Sequence, residues 1–327
     1  MRRAAYRGGL CRTRSLPRPV LVVGNRIAGG AGKTPTVLAL IAHLQGAGWR
    51  PGVVSRGHGG SHAGVLDVQP DTPATLCGDE PLLIRLRGSV PVVIGRDRVE
   101  AGRALIEAHP EVDLLIADDG LQHLRLARQV EVVVFDARGA GNGWLLPAGP
   151  LREPINAPST ASATLLLYNA LAPSTPLPGH LARSALAGAV ELGAWRRGEP
   201  ATREALERLR GRPLRACAAI AQPQRFFDWL RQAGLTVDGL ALPDHAAFEA
   251  LPWPRSDHDV IVTEKDAVKL DPERLARDRP GCQVWVAPLD FQPEPAFWVA
   301  LDNALAAALS ARGAQGASRA PHPNAAP

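Results

Sequence analysis

The stretch GNRIAGGAGKTP, Gly24 to Pro35, holds the residue types that a phosphate cradle needs. Its small residues, Gly29, Gly30, Ala31 and Gly32, let successive backbone N–H groups converge on β- and γ-phosphates at the positive end of a following helix. Lys33 would sit against the transferred phosphate. The Thr34 hydroxyl would bind a Mg2+ that bridges the β- and γ-oxygens. Pro35 is tolerated, because in the first turn of a helix its missing N–H has no partner to lose. The strict G-x-x-x-x-G-K-[ST] spacing fails at its first position, where Ile27 stands, so a flexible glycine-rich turn competes with the cradle. Lysine usage favours the cradle. Of 37 basic residues only Lys33, Lys265 and Lys269 are lysine, leaving 34 arginines. A lone lysine in this turn points to a requirement for a compact ammonium.

Other chemistry-bearing residues stand at the ends of apolar runs. VDLLIADDGLQH, Val112 to His123, carries a nearly continuous apolar strand directly into Asp118 and Asp119. A buried strand that delivers a carboxylate to the end of a sheet supplies the second half of a phosphate-loop site, where it holds Mg2+ directly or through water. In GDEPLLIRL, Asp79 and Glu80 stand at the mouth of a short helix, and on residue type alone Asp79 reads as its N-cap. Arg56 and His58 close the strand-like RPGVVSRGHGG. His245 lies in PDHAAF, in a turn after a strand, where a surface histidine or a cap is the plain reading. Lys265 and Lys269 are four apart beside Glu264 and Asp266. This spacing fits a salt-bridged helix start, or a hold on nucleotide or acidic substrate.

The elements that must position these residues alternate in type. Val20 to Val23 form a strand before the cradle, and VLALIAHL a helix after it. VPVVIG is a strand, RDRVEAGRALIEA an amphipathic helix and VEVVVFDAR a buried strand. GAGNGWLLPAGPLREP, Gly139 to Pro154, is too rich in glycine and proline to be regular, and its length suggests a functional or domain-joining loop. After about residue 155 the strand–helix alternation restarts, which predicts parallel α/β layers in both halves. The predicted divisions are a basic leader over 1–19, domains over 20–155 and 156–311, and a disordered tail over 312–327.

With 46% apolar residues in 327, two cores are affordable. The net charge of +5 favours anionic substrates or an anionic membrane surface, whereas the arginine bias reads as genome composition and gives no case for nucleic acid. Cys11, Cys77, Cys217 and Cys282 form no C-x-x-C pair, which argues against zinc and fits unpaired thiols in a reducing cytoplasm. The leader carries Arg2, Arg3, Arg7, Arg12, Arg14 and Arg18 with no acidic residue and no apolar core of signal-peptide or membrane-span length. It is either a disordered basic arm or a segment resting on anionic headgroups.

Taken together the motifs resemble one family, the tetraacyldisaccharide 4'-kinases, which phosphorylate the lipid A precursor at the inner membrane. The carriers are GGAGKTP, VVSRGHGG, GDEP, GRDR, DDGLQH, LLPAGPLREP, PDHAAF and TEKDAVKL, in family order over roughly residues 19–290. The resemblance implies a P-loop NTPase-like parallel-sheet domain followed by a second, smaller α/β domain, with ATP and Mg2+ in the cleft between them. It implies transfer of the γ-phosphate to the 4'-hydroxyl of a diglucosamine lipid. It makes Asp79 the general base, assisted by His245, and carries Lys33, Thr34, Asp118 and Asp119 over to phosphate and Mg2+, with Glu153 a further metal candidate. Arg98, Gln122, His123 and Arg152 become contacts for the anionic disaccharide. The implied location is peripheral, on the cytoplasmic face of the inner membrane, with no obligate protein partner. A phosphate-loop kinase of a soluble sugar or cofactor, and a nucleotide switch with a protein partner, are the competing readings.

Three departures from the family pattern stand out. His58 occupies a position where the family often has tyrosine, and Arg26 and Ile27 stand where smaller or less charged residues are common. Family members also begin with an apolar membrane-meeting helix, so either the start is truncated or charge and surface aromatics reach the lipid.

Overall fold

A computed structural model describes Tyr6, Gly8 and residues 10–317. In chain order its strands are Val20–Gly24 (β1), Pro51–Ser55 (β2), Leu66–Asp67 (β3), Val92–Ile94 (β4), Leu114–Ala117 (β5), Val130–Asp136 (β6) and Ala163–Asn169 (β7). They continue with His180–Leu186 (β8), Val190–Glu191 (β9), Leu214–Ala218 (β10), Val237–Ala241 (β11), Asp259–Val262 (β12), Gln283–Val286 (β13) and Leu289–Pro293 (β14). The helices are Lys33–Gly46 (α1), Ala74–Cys77 (α2), Asp79–Gly88 (α3), Arg98–Ala108 (α4), Leu192–Arg196 (α5), Arg203–Arg208 (α6), Pro223–Gln232 (α7), Glu264–Ala267 (α8), Pro272–Asp278 (α9) and Pro295–Ala317 (α10).

Strands β1, β5, β6 and β2 are buried along their length and mostly apolar, because both faces of a central parallel sheet are covered. They form the middle of a nine-stranded sheet ordered β14-β8-β7-β6-β1-β5-β2-β4-β3. The order places β1 between β5 and β6, both parallel to it. The glycine loop after β1, the aspartates after β5, Ser55 at the end of β2 and Asp136 at the end of β6 therefore emerge at one edge. Ligands of open α/β sheets bind at this edge. A second, five-stranded sheet, β11-β10-β12-β13-β9, is the smaller unit.

The boundary between the units differs from the one expected after residue 155. Strands β7 and β8 extend the larger sheet, and β14 returns to it antiparallel to β8, with Phe291 opposite Ser184. The chain leaves and re-enters the larger unit side by side, where the Ala187 N–H donates to the Pro288 carbonyl (2.9 Å). Local pattern identifies a strand but not the sheet it joins: the largely apolar stretch CQVWVAPLDF is split between the two sheets as β13 and β14. Strand β8, HLARSAL, is too polar to stand out by hydropathy and is carried by its neighbours. Helix α10 runs to Ala317, beyond the expected order limit at 311. Arg2, Arg3, Arg7 and the tail from 318 lie outside the described residues. Among those described, no helix is long and apolar enough to cross a membrane.

Candidate active site

The cradle forms as its residue types dictate. Gly32 has φ +96°, and a Cβ there would lie 2.6 Å from Asn169 Nδ2, so the turn into α1 requires glycine. Pro35 sits in the first turn of α1, and the Thr36 hydroxyl donates to the Gly32 carbonyl (2.8 Å). Lys33 Nζ lies 3.4 Å from Asn25 Oδ1 and 3.7 Å from Asp119 Oδ1. Arg138 braces the loop from β6: it pairs with Asp136 (2.7 Å) and donates to the carbonyls of Ala28 and Gly30 (3.3 Å each). The two unusual loop residues are structural. Ile27 is buried against Leu151, and Arg26 donates to the Ile155 and Ala157 carbonyls and pairs with Glu153 (3.6 Å). Together they staple the cradle to the loop that ends at Pro154.

Asp118 and Asp119 behave differently although they are adjacent. Asp118 is 1% exposed; its Oδ2 accepts from the Ser55 hydroxyl (3.0 Å), while Oδ1 is enclosed with no hydrogen-bond partner. Burial, with Glu80 and Asp119 nearby, pushes its carboxyl up to about 7. Asp119 has φ +45° and accepts two hydrogen bonds from Arg152 (3.0 and 3.1 Å). Its burial raises the pKa, but Lys33 and Arg152 outweigh this and hold the carboxyl below its ordinary value.

Asp79 is the first residue of α3 and not its cap; Gly78, with φ +92°, occupies the cap position. Both Asp79 oxygens lie 3.0 Å from His245 Nδ1, across 166 residues of sequence. Nδ1 faces a carboxylate and therefore carries the hydrogen, which leaves the Nε2 lone pair to accept from the Lys265 ammonium (3.2 Å). Lys265 Nζ also lies 3.2 Å from Glu80 and Asp244 and 3.9 Å from Asp79. Burial alone would raise the Asp79 carboxyl, yet the His245 hydrogen bond and Lys265 lower it. The hydrogen bond to Asp79 raises His245, opposed by burial and Lys265. Burial lowers Lys265, but Glu80, Asp79 and Asp244 outweigh it and raise the ammonium. Asp79 and Glu80 belong to the larger unit, whereas His245 follows β11 and Lys265 opens α8 in the smaller one. The dyad therefore exists only across the junction.

A cleft of about 650 Å3 joins these groups, lined among others by Gly29, Gly30, Gly32 to Pro35, Asp119, Arg152, Glu80, His245 and Lys265. The described residues with positive φ other than glycine are Ser89, Asp119 and His245, so two of three are site residues. Such backbone costs about 1–3 kcal/mol each and persists where the surroundings impose it. His58 lines the same cleft, its ring 5.2 Å from that of His245.

Several of the expected residues have partners within the protein. Glu153, expected near the metal, is buried against Arg26 and holds the loop. Arg98, expected to meet the disaccharide, is 3% exposed and donates to the Gly95 and Asp118 carbonyls. Gln122 donates to the Asn25 carbonyl (3.1 Å), and His123 stands 3.6 Å from Asp97, so both shape the turn after Asp119. Arg152 does reach the cleft, but with its guanidinium on Asp119. Sequence reading flagged Lys265 without a specific job and gave none to Glu80, Arg138 or Ser55. Lysine rarity was the available signal for the first; nothing local marks the others.

The tetraacyldisaccharide-1-P 4'-kinase (LpxK) family model matches residues 1–306. The chain is similar to the tetraacyldisaccharide 4'-kinase of Methylibium petroleiphilum, with 66% identity over 306 residues, covering 94% of this chain and 86% of that one. It is similar to the same enzyme of Leptothrix cholodnii, with 60% identity over 311 residues, covering 95% and 88%. Its fold matches the crystal structure of LpxK from Aquifex aeolicus in complex with ATP, with a TM-score of 0.76 at 24% identity over 94% of this chain and 93% of that one.

Proposed function

The chain belongs to the tetraacyldisaccharide 4'-kinase family, the phosphotransferases of lipid A biosynthesis, and from that premise we propose how its residues perform the transfer. The observation that carries the proposal is the Asp79–His245 pair, closed across the junction of two units beside the Lys33 cradle. ATP is the donor, with its phosphates on the N–H groups of Gly29 to Thr34 and its γ-phosphate against Lys33. The acceptor is the 4'-hydroxyl of the tetraacyl disaccharide 1-phosphate.

Asp79 takes the proton of the attacking hydroxyl. His245 is the less suitable base, because its Nε2 lone pair already accepts from Lys265. Its service is to orient the carboxylate, while Lys265 fixes the tautomer that does so and supplies the balancing positive charge. The cations around Asp79 keep it ionised, so the base is ready without prior deprotonation. Positioning and charge neutralisation supply most of the rate in such transfers.

Mg2+ fits the residues present, because Asp118 Oδ1 is a buried acceptor without a partner and its carboxyl is raised as an anion lacking a cation would be. Thr34, Asp118 and Asp119 would hold it, directly or through water. When bound, Mg2+ neutralises charge on the β- and γ-phosphate oxygens. Arg152 keeps Asp119 ionised and aimed at the cleft. The protein works peripherally at the cytoplasmic face of the inner membrane, where a lipid acceptor and ATP meet; the net charge of +5 supports attraction to anionic headgroups. No nucleic acid and no obligate protein partner enters this scheme.

The test is transfer from γ-labelled ATP to the tetraacyl disaccharide 1-phosphate in mild detergent with Mg2+. Label in the lipid, lost in Asp79→Asn with ATP binding retained, is the expected result. Undiminished transfer by Asp79→Asn would overturn the assignment of the base.

A further inference from the structure

We propose that the tip of the loop between β6 and β7, Trp144, Leu145 and Leu146, inserts into the interfacial layer of the bilayer that holds the acceptor. The choice of a bilayer as occupant rests on the lipid-kinase reading above; the tip itself is read from its own geometry.

From Gly139 to Leu151 no side chain is charged, in a chain that is 21% charged. Surface loops facing water are rarely so bare. Trp144, Leu145 and Leu146 are consecutive and exposed to 66%, 46% and 55%, while the other large exposed apolar residues among those described stand singly. An indole beside two leucines, with no ionic group to dehydrate, is the composition that settles at the boundary between headgroups and acyl chains.

The tip is also stiff. Asn142 Nδ2 donates to the Ala148 carbonyl (3.1 Å) while its Oδ1 accepts from the Trp144 N–H (3.1 Å). The Leu146 N–H donates to Leu151 (2.8 Å), Gly149 N–H to Leu145 (3.0 Å) and Leu151 N–H to Trp144 (3.1 Å). A Cβ at Gly149 would stand 2.2 Å from Asn142 Oδ1 and 2.4 Å from the Trp144 carbonyl oxygen, so the turn tolerates only glycine. Apolar side chains held out by a closed hydrogen-bond network lose little further freedom on insertion.

The network continues into the active site. The Ala28 N–H donates to the Pro150 carbonyl (2.7 Å), the Arg152 N–H to Arg26 (2.8 Å), and Arg152 pairs with Asp119 (3.0 Å). A tip seated in the bilayer thus sets the height and tilt of the cradle over the membrane. The cleft meets a headgroup hydroxyl while the acyl chains remain in lipid. This tie to the catalytic cleft favours a lipid surface over a second copy of the chain as the occupant.

The test uses the full chain with vesicles of phosphatidylethanolamine and a minority of phosphatidylglycerol. The variant W144S/L145S/L146S should partition about tenfold more weakly in co-sedimentation, as expected for losing three interfacial apolar groups. Its melting temperature reports folding. Trp144→Phe, which keeps the fold and the apolar surface, should still bind but lose the part of the tryptophan quenching caused by brominated acyl chains that belongs to the tip. Phosphorylation of a short-chain acceptor monomeric in solution should be unchanged in the triple variant, while that of the vesicle-embedded lipid falls with partitioning. Unchanged partitioning of the triple variant, loss of activity on the monomeric acceptor, or a shift from dimer to monomer in sedimentation would each overturn the proposal. A wild-type chain that binds and is quenched but phosphorylates neither acceptor would uphold the tip and sink the kinase mechanism instead.

Discussion

Asp79 and Asp118 are both buried carboxylates at strand or helix ends of the larger unit, yet their environments push them in opposite directions. Asp79 is 5% exposed and held below its ordinary pKa; Asp118 is 1% exposed and pushed up to about 7. Burial raises both carboxyls, more so at the fully enclosed Asp118, and the partners then widen the difference. Asp79 faces His245 and Lys265, both supplied by the smaller unit. Asp118 has Glu80 and Asp119 beside it, against Lys33 and one hydroxyl. The side of the cleft that does proton chemistry carries its own compensating charge, and the side that meets the nucleotide leaves one carboxylate waiting for a cation. Glu264 lies between these cases: it is buried, accepts from Arg87 (2.8 Å) and Trp195 (3.0 Å), and burial still raises it.

The largest effect expected from breaking this contrast is at the compensated carboxylate. Asp79→Asn should lower kcat by about 10²–10⁴-fold with ATP affinity retained, measured by labelled transfer and equilibrium binding. A loss confined to ATP binding would remove the distinction between the two sides. Next is Asp118→Asn, which should weaken the apparent Mg2+ affinity in transfer by about 10–100-fold and yet stabilise the metal-free fold.

The sign follows from linkage. The folded carboxyl near 7 keeps a proton that the unfolded one, near 3.8, has released, so stability falls as pH rises between these values. Above about pH 7 the variant should melt at a higher temperature than the wild type without metal, and Mg2+ should raise the melting temperature of the wild type more than that of the variant.

A smaller effect should come from loosening the compensation. In Lys265→Met the cation that helps to depress Asp79 is gone, so the base protonates at higher pH and the acid limb of kcat/KM moves up by about one pH unit. The smallest is Arg87→Met, which leaves Glu264 buried with only the neutral donors of Trp195 and the Leu289 backbone. A loss of about 1–3 kcal/mol is expected in urea unfolding, and it should shrink as pH is lowered and Glu264 protonates.

Much of this site could be read along the chain. The cradle from Gly29 to Pro35 depends on backbone freedom and on a helix starting at once, and both are properties of adjacent residues. Asp118 and Asp119 were legible because a wholly apolar strand must end at the sheet edge. Asp79 was not legible on its own: its local setting is that of a helix cap, and the residue that gives it a role is 166 positions away. Arg98 and Glu153 show the complementary case. Their charges looked available in sequence, but the fold encloses them against main-chain carbonyls and Arg26. The division into units was misplaced because β7, β8 and β14 carry no local mark of which sheet they will join.

The sequence by itself determined the α/β alternation, the phosphate cradle and the carboxylate pair behind it, since each rests on spacing over a few residues and on the period of burial. Only the tertiary structure decided that Asp79 would be ionised against His245 and Lys265, that Asp118 would keep an unpartnered oxygen, and that the cleft would close between units built from interleaved segments. Charge state is a sum over groups near in space, and backbone closure decides which groups those are.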